Sequence, residues 1–254
     1  MNQSFRTRSA VGFIVTSDYE PRGDQPKAIE QLADYLNKGQ RFITLKGVTG
    51  SGKTYTLAKA MEKVNKPVLI ISHNKTLAAQ LFGEFQGFLR QNNVEYFISY
   101  YDYYQPEAYI PSSDTYIEKD ADINDQIERL RLRATAALMG SRDVAIVASV
   151  SCIFGLGSPE DYANMTVKIR KDGATQRKEL LHQLVDLHYV RNPIDFSEGT
   201  FRVRGDVLEV FPSYAERPYR VEFWGDDVER ISEIDQLTGE VVRDMDSLAI
   251  YAAK

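Results

Sequence analysis

The residues "KGVTGSGKT", 46–54, decide the fold predicted for the first half of this chain. They contain G-x-x-x-x-G-K-T from Gly47 to Thr54, a pattern in which glycines let the backbone curve so that several N–H groups face a phosphate. A short strand is predicted before the loop, at Arg41–Leu45, and a helix after it, at Lys53–Val64. Because strand and helix are the context that gives the motif its meaning, the sequence predicts a nucleotide-binding α/β domain.

The residue types of the loop predict how it would hold ATP and Mg²⁺. Lys53 would neutralise β- and γ-phosphate oxygens, and the Thr54 hydroxyl would coordinate the magnesium ion. The helix that follows adds its positive N-terminal end. The loop residues predicted to contact the cofactor are Gly47, Val48, Thr49, Gly50, Ser51, Gly52, Lys53 and Thr54.

A glutamine upstream of the loop could select the base. Gln25 lies in "YEPRGDQPKAI", 19–29. A glutamine amide can accept a hydrogen bond from adenine N6–H and donate one to N7, which would favour ATP over GTP. A glutamine that opens a helix is also commonly just solvated, so both interpretations stay open.

Helices and strands alternate around the loop. The run "PVLIIS", 67–72, is continuously apolar, which is typical of a strand inside a parallel sheet. Strand and helix in alternation predict right-handed βαβ units. The remaining predicted elements are helices at Asp24–Asn37, Lys75–Arg90 and Asp122–Met139 and strands at Val94–Ser99 and Val144–Val150.

The pattern changes near residue 157, and we expect one domain at 1–156 and another at 157–254. Ser158, Pro159 and Glu160 are typical of a helix start. Beyond one helix at Arg177–His188, the second half reads as strands joined by turns, with a hairpin or bulge at 204–206. It is therefore expected to be a smaller α+β domain.

Composition limits the class of protein. The chain has 254 residues, 43% hydrophobic, one cysteine and three histidines, which excludes an internal disulfide framework and an obvious zinc site. No run approaches the ~18 apolar residues of a membrane span, and a soluble, cytoplasmic protein without membrane partners is expected. Residues 157–254 hold 13 Lys and Arg against 19 Asp and Glu. Because neither half is strongly basic, any DNA binding must come from a local groove.

A tyrosine-rich insertion separates a predicted strand from a predicted helix. "SYYDYYQPEAYIPSSDTYIEKD", 99–120, holds six of the 15 tyrosines of the chain. Tyrosine faces stack on unpaired bases at ~1–3 kcal/mol each, whatever the base. The same side chains could instead fill a small core under a long loop. Composition alone favours neither interpretation.

Parts that a nucleotide-driven motor needs are missing from the sequence. Hydrolysis usually requires an acid that holds magnesium, an acid that orients water and an arginine that meets the transition state. Superfamily 2 helicases place the acids in a D-E-x-H or D-E-A-D motif, and the chain has no Asp-Glu dipeptide. No second set of βαβ units follows that could supply the arginine. The sequence is thus expected to be part of a motor protein, unable to hydrolyse ATP alone.

Five stretches in order resemble the UvrB family, the helicase-like subunit of the bacterial UvrABC excision nuclease. They are "YEPRGDQPKAI", "GVTGSGKT", "SHNKTLAAQL", the tyrosine-rich insertion and "SVSCIFGLGSPEDY". The insertion and the last stretch make the resemblance specific, and it covers essentially the whole chain. It implies a RecA-like first motor lobe with an inserted β-hairpin at about 99–120, followed by a domain that binds UvrA. The chain would be an N-terminal portion that stops before the acidic motif and the second lobe.

The resemblance also implies DNA-contacting and base-contacting residues. The β-hairpin would insert between the strands of damaged or single-stranded DNA and probe for lesions. Its aromatic residues near the base would be Tyr100, Tyr101, Tyr103 and Tyr104, with Tyr116 toward the tip, and Tyr19 would join the nucleotide site. Asn74 and Lys75 match a helicase motif that grips the DNA backbone, although an ordinary helix cap with a solvated lysine competes with that role.

The second half would dock on UvrA, and the full-length parent would also meet UvrC. The matching polar residues are Arg191, Arg202, Arg204, Arg220 and Glu222. Independently, Arg202 and Arg204 lie two apart on a predicted strand and so share a face, and arginine is enriched at interfaces. A solvated charged strand face is the alternative. On the helix at Asp122–Met139, a solvated mixed-charge face is the expectation for Arg129, Arg131 and Arg133.

Other classes of function compete with this interpretation. The chain could be purely a UvrA-binding module that holds little nucleotide. It could be the N-terminal region of a transcription-repair coupling factor, but that region lacks a phosphate-binding loop, whereas "GVTGSGKT" is intact here. An unrelated P-loop kinase would leave the insertion without a role.

Overall fold

A computed structural model describes residues 12–99, 108–110, 115–117, 125–153, 158, 160 and 164–253 of the chain. By the proximity of Cα atoms the chain divides into two compact units, the first within 8–156 and the second mainly within 157–254. The functions assigned to domains 1–156 and 157–254 stay predictions.

The first part of the chain alternates helices with strands. Its helices are α1 (Gln25–Asn37), α2 (Lys53–Val64), α3 (Lys75–Phe88) and α4 (Asp125–Gly140). Its strands are β1 (Val68–Ser72), β2 (Asn93–Phe97), β3 (Ala108–Ile110), β4 (Thr115–Ile117) and β5 (Val144–Ser149), and a short 3₁₀ helix follows at Val150–Ile153.

Three of these strands form the predicted parallel sheet, in the order β1-β5-β2. The central strand β5 is buried at every position, as expected where helices cover a parallel sheet. Its Val147 packs in a core with Phe13 of the N-terminal segment, Phe85 of α3 and Val94 of β2. The mixed α/β class with a parallel sheet is confirmed.

The strand predicted before the phosphate-binding loop is not formed. Residues Arg41–Leu45 have no regular secondary structure, and Phe42 within them is 79% exposed. Within the described ranges, no strand pairs with this segment. An extended segment without a neighbouring strand gains no hydrogen bonds between strands. The local sequence pattern was therefore not sufficient to form a strand here.

The predicted solvated face of α4 is wrong for two of its three arginines. Arg131 is only 4% exposed, donates to the carbonyl of Ile98 at 2.8 Å, and lies over the ring of Phe97. Arg133 forms a 2.9 Å ion pair with Glu95, which is itself buried. Long arginine stems can lie along apolar surface while the head finds a partner, which residue type alone does not reveal. Arg129 is exposed, as expected.

Part of the tyrosine-rich insertion is described. Strands β3 and β4 pair antiparallel, with Tyr109 opposite Tyr116. Residues 100–107, 111–114 and 118–124 lie outside the described residues. The full β-hairpin therefore stays a prediction.

The second part of the chain is mainly antiparallel sheet. Its elements are β6 (Thr166–Arg170), α5 (Arg177–Asp186), β7 (Val190–Arg191), β8 (Thr200–Arg204), β9 (Val207–Phe211), β10 (Tyr219–Trp224), β11 (Asp227–Ile234), β12 (Val241–Met245) and β13 (Ser247–Tyr251). Six strands form one sheet in the order β12-β11-β10-β9-β8-β7, in which β7 and β8 run parallel. Strands β13 and β6 form a separate pair.

Across β8, β9 and β10 the six-stranded sheet has one apolar and one charged face, because side chains alternate along each strand. The apolar side chains of Phe201, Leu208, Val221 and Ile231 are buried. The hairpin predicted at 204–206 is confirmed, since β8 and β9 are joined by the two residues Gly205 and Asp206. Gly205 has φ 58°, a conformation that glycine adopts without strain.

No helix among the residues that the structure describes is long and apolar enough to cross a membrane.

Candidate nucleotide-binding and partner-binding sites

The phosphate-binding loop curves tightly into the start of α2. Gly50 and Gly52 have φ values of 79° and 73°, and Gly52 caps the helix. A Cβ atom at Gly47 would lie 2.7 Å from the Ser51 hydroxyl oxygen, so a side chain there would require the Ser51 side chain to turn away. The backbone N–H of Ser51 donates to the carbonyl of Val48 at 3.2 Å. The two glycines with positive φ therefore let the backbone turn sharply into the first turn of α2, as a phosphate-binding loop requires.

The reactive side chains of the loop start α2. The Lys53 ammonium donates to the carbonyls of Gly47 at 3.0 Å and Val48 at 2.8 Å, so it lies against the loop. Thr54 follows as the second residue of the helix and is half-buried. The first N–H groups of a helix have no partner within it, so this turn can donate to an anion. Lysine, hydroxyl and backbone thus fit a triphosphate with its magnesium ion.

The upstream residues Tyr19 and Gln25 lie against this loop and helix. The Gln25 amide nitrogen donates to the Ser51 carbonyl at 3.0 Å, and its oxygen accepts from the backbone of Arg22 at 3.0 Å. The carbonyl of Tyr19 accepts from the Tyr55 hydroxyl at 2.6 Å. The structure therefore brings the predicted base-contacting segment and the phosphate-binding loop together.

The predicted DNA contacts are described only in part. Asn74 caps α3, because its side-chain oxygen accepts from the backbone N–H of Leu77 at 2.8 Å. The carbonyl of Lys75 accepts from the Tyr96 hydroxyl at 2.9 Å. Tyr116 lies in β4. The other predicted tyrosines, Tyr100, Tyr101, Tyr103 and Tyr104, lie outside the described residues.

The charged face of the six-stranded sheet carries a cleft of about 280 Å³. Four of the five residues predicted to bind a partner line it. The lining residues are Arg202, Arg204, Val207, Glu209, Arg220 and Glu222. Arg191 is not among them, since it lies on the edge strand β7.

A buried carboxylate organises two of the cleft arginines. Glu209 is 5% exposed, and its neighbours across the sheet are Arg202 and Arg220. Arg202 Nε donates to Glu209 Oε2 at 2.5 Å, and Arg220 Nη2 donates to Oε1 at 2.6 Å. Although burial raises the pKa of the Glu209 carboxyl, hydrogen bonds from Arg220 and Arg202 outweigh it and hold that pKa below its ordinary value. The carboxylate stays charged and fixes both guanidinium groups.

The other charged residues of the cleft point outward. Arg204 is exposed, and Glu222 lies 3.9 Å from Arg230 of the next strand. Three arginines against two glutamates leave the cleft with one excess positive charge. Such a surface complements carboxylates.

Two residues of these sites were not predicted from sequence. Glu209 could have been found, because the two-residue turn at Gly205 and Asp206 places it opposite Arg202. Tyr55 looks like any apolar residue in the helical pattern of 53–64, so its contact with Tyr19 had no sequence signal.

Two protein-family descriptions match the chain. Residues 167–254, which include the charged cleft, match the UvrB interaction domain. Residues 18–130, which include the phosphate-binding loop, match the res subunit of type III restriction enzymes.

Curated relatives match nearly the whole chain. UvrABC system protein B of Bacillus subtilis strain 168 is 58% identical over 95% of this chain and 37% of its own length. The proteins of the same name from Caldicellulosiruptor saccharolyticus and Streptococcus mutans are 59% and 58% identical over 95% of the chain. They are covered over 37% and 36% of their lengths, so the chain spans a little over a third of these relatives.

Proposed function

Because this chain corresponds to the N-terminal region of the UvrB family, we propose that it forms the ATP-binding and UvrA-docking part of a DNA excision-repair subunit. The loop at 47–54 binds the nucleotide, and the charged face of the six-stranded sheet binds UvrA.

The observation that carries the docking role is the cleft on the sheet. It lies within the residues that match the UvrB interaction domain, and it presents arginines held in place by the buried Glu209. Guanidinium groups fixed before binding lose less freedom when they meet a partner. Carboxylates on UvrA would be recognised through paired N–H donors.

The nucleotide role follows from the loop. Backbone N–H groups and Lys53 hold the phosphates, the Thr54 hydroxyl is a ligand for Mg²⁺, and Gln25 with Tyr19 faces the base. When bound, ATP with Mg²⁺ supplies an anhydride bond whose hydrolysis can drive a motor. The opposing acids and arginine belong to other parts of the longer relatives in this proposal, so the chain alone binds ATP without turning it over.

The DNA role rests on the tyrosine-rich insertion. We infer that Tyr100, Tyr101, Tyr103, Tyr104 and Tyr116 stack on unpaired bases of damaged or single-stranded DNA, with Asn74 and Lys75 at the backbone. Stacking accepts every base, which suits a probe that meets many sequences. In the full-length parent, UvrC would act after this loading step.

Titration calorimetry of the chain with UvrA tests the proposal. Arg204→Glu is the informative variant, because Arg204 is exposed, whereas reversal at Arg202 would also break the buried contact with Glu209. Facing carboxylates of the partner, Arg204→Glu should weaken binding by about tenfold or more through like-charge repulsion. Lys178→Glu is the matched control, since Lys178 is exposed on α5 and does not line the cleft. Equal losses from both variants would remove the reason for placing UvrA on this face.

A further inference from the structure

Two side-chain hydrogen bonds tie the segment 19–25 to the phosphate-binding loop and its helix. The Tyr55 hydroxyl, on the first turn of α2, donates to the carbonyl of Tyr19 at 2.6 Å. The Gln25 amide donates to the carbonyl of Ser51 at 3.0 Å. The segment is therefore attached at both of its ends, once to the helix and once to the loop.

Packing fixes the direction of the Tyr55 side chain. The residue is 6% exposed, and its ring contacts that of Phe88 with centroids 5.5 Å apart. A buried tyrosine hydroxyl needs a hydrogen-bond partner, and here the partner is the backbone of Tyr19. The hydroxyl thus holds one point of an otherwise exposed segment.

The residue whose backbone the Tyr55 hydroxyl holds is Tyr19, and its aromatic ring is exposed. Tyr19 is 71% exposed and meets the Tyr55 ring edge-on, with centroids 6.5 Å apart. Because only the edge of one ring touches the other, most of the Tyr19 surface is open to solvent. Exposed aromatic faces stack on bases, and Tyr55 lies two residues after Lys53, the residue proposed to hold the phosphates.

We propose that Tyr55 is a positioning residue that sets the distance between the base-stacking ring of Tyr19 and the phosphate-binding loop. The role rests on the proposed binding of a nucleoside triphosphate at 47–54. Tyr55 itself touches neither base nor phosphate in this arrangement. It acts through the Tyr19 backbone, so it contributes to binding of the base and not to binding of the phosphates.

Comparing two ligands separates these contributions. ATP carries both a base and phosphates, whereas inorganic tripolyphosphate carries phosphates alone. Tyr55→Phe keeps the ring and its contact with Phe88 but removes the hydroxyl. With Mg²⁺ present, this variant should bind ATP about threefold to tenfold more weakly, the effect of one hydrogen bond, and tripolyphosphate as tightly as the unaltered chain. Lys53→Ala should weaken the binding of both ATP and tripolyphosphate.

A double-mutant cycle distinguishes positioning from general packing. Tyr19→Ala removes the ring directly and should weaken the binding of ATP but not the binding of tripolyphosphate. If Tyr55 acts through that ring, adding Tyr55→Phe to Tyr19→Ala should produce little further loss. Tyr19 is exposed, so its replacement leaves the core intact even if Tyr55→Phe lowers the thermal midpoint.

Three of the possible results test the positioning role of Tyr55, and a fourth tests the nucleotide-binding loop. If Tyr55→Phe lost the same affinity for ATP as for tripolyphosphate, the positioning role would be overturned. It would also be overturned if Tyr55→Phe bound ATP as tightly as the unaltered chain while Lys53→Ala bound it more weakly. The role would be overturned as well if the losses of ATP affinity caused by Tyr19→Ala and Tyr55→Phe simply added in the double variant. If Lys53→Ala changed neither ligand, the nucleotide-binding loop itself would be refuted, and the positioning role with it.

Discussion

Replacing Glu209 with glutamine should destabilise the sheet domain while keeping the size of the side chain. The carboxylate is 5% exposed, with Arg202 on one oxygen at 2.5 Å and Arg220 on the other at 2.6 and 2.9 Å. An amide keeps only one acceptor oxygen and no charge. The two guanidinium groups would then lie on either side of a neutral amide, without the negative charge that attracts both and offsets their mutual repulsion.

The size of the effect follows from burial. Removing one partner of a buried ion pair costs about 3–5 kcal/mol, because the other charge is left unpaired. The side chains of Arg202 and Arg220 are 16% and 23% exposed, so both can turn partly to water. We therefore expect Glu209→Gln to lower the free energy of unfolding by about 2–3 kcal/mol near neutral pH, which is less than the cost for a fully buried ion pair.

The loss should depend on pH in a defined direction. The pKa of Glu209 is lowered in the folded state from its ordinary value of 4.5. Its charge therefore stabilises the fold fully above about 4.5, and this contribution disappears as the pH falls through the lower, folded pKa. The difference between the unaltered chain and the variant should be constant from about pH 7 to about pH 5.5 and smaller near pH 3.5.

Urea unfolding at these three pH values measures the effect. Glu229→Gln is the matched control, because Glu229 is exposed on β11 of the same sheet, and it should change stability by less than about 0.5 kcal/mol. A loss at Glu209 as small as that of the control would refute the buried carboxylate as the organiser of the cleft. A loss of full size at the lowest pH would refute the charge as its cause.

Three further changes test the other assignments. The chain alone should show no ATP turnover above a Lys53→Ala variant, and a Lys53-dependent rate in a phosphate-release assay would show that the motor is more complete than proposed. Gly52→Ala should weaken ATP binding and lower the thermal midpoint, because Gly52 has φ 73° and the new Cβ would lie 2.5 Å from the Gln25 amide; an unchanged midpoint and affinity would contradict this. Tyr100→Ala with Tyr101→Ala in a full-length relative should impair loading on damaged DNA in gel-shift assays and leave circular dichroism unchanged, whereas global unfolding would favour a packing role.

Local patterns predicted the core of the first unit well. The loop at 47–54 forms as expected next to α2. The apolar run at 67–72 forms the strand β1, but at the edge of the described sheet and not inside it, with Leu69 and Ile71 61% and 53% exposed. The segment at 41–45 has the same kind of local pattern but forms no strand. A strand needs a neighbour, and which neighbour is present is not a local property.

The charged residues were harder to predict, because their roles depend on distant partners. Arg131 and Arg129 have the same composition around them on one helix, yet Arg131 reaches the carbonyl of Ile98 and Arg129 stays exposed. Arg202 and Arg204 were expected on one face, and they share it. The register of the β8–β9 hairpin places Glu209 opposite Arg202, and the pairing of β9 with β10 places it opposite Arg220. This arrangement could have been predicted only once the turn that joins β8 and β9 was known.

Hydroxyl-radical footprinting of the chain with UvrA, in the absence of nucleotide, tests most directly whether the charged face is the docking surface. Burial along β10 alternates, so Trp224 lies on the same face as Arg220 and Glu222, and it is 75% exposed. Oxidation of Trp224 should fall several-fold when UvrA saturates the chain, while oxidation of Tyr19, which is 71% exposed near the phosphate-binding loop, should not change. Undiminished oxidation of Trp224 in a saturated complex would contradict the placement of UvrA on this face.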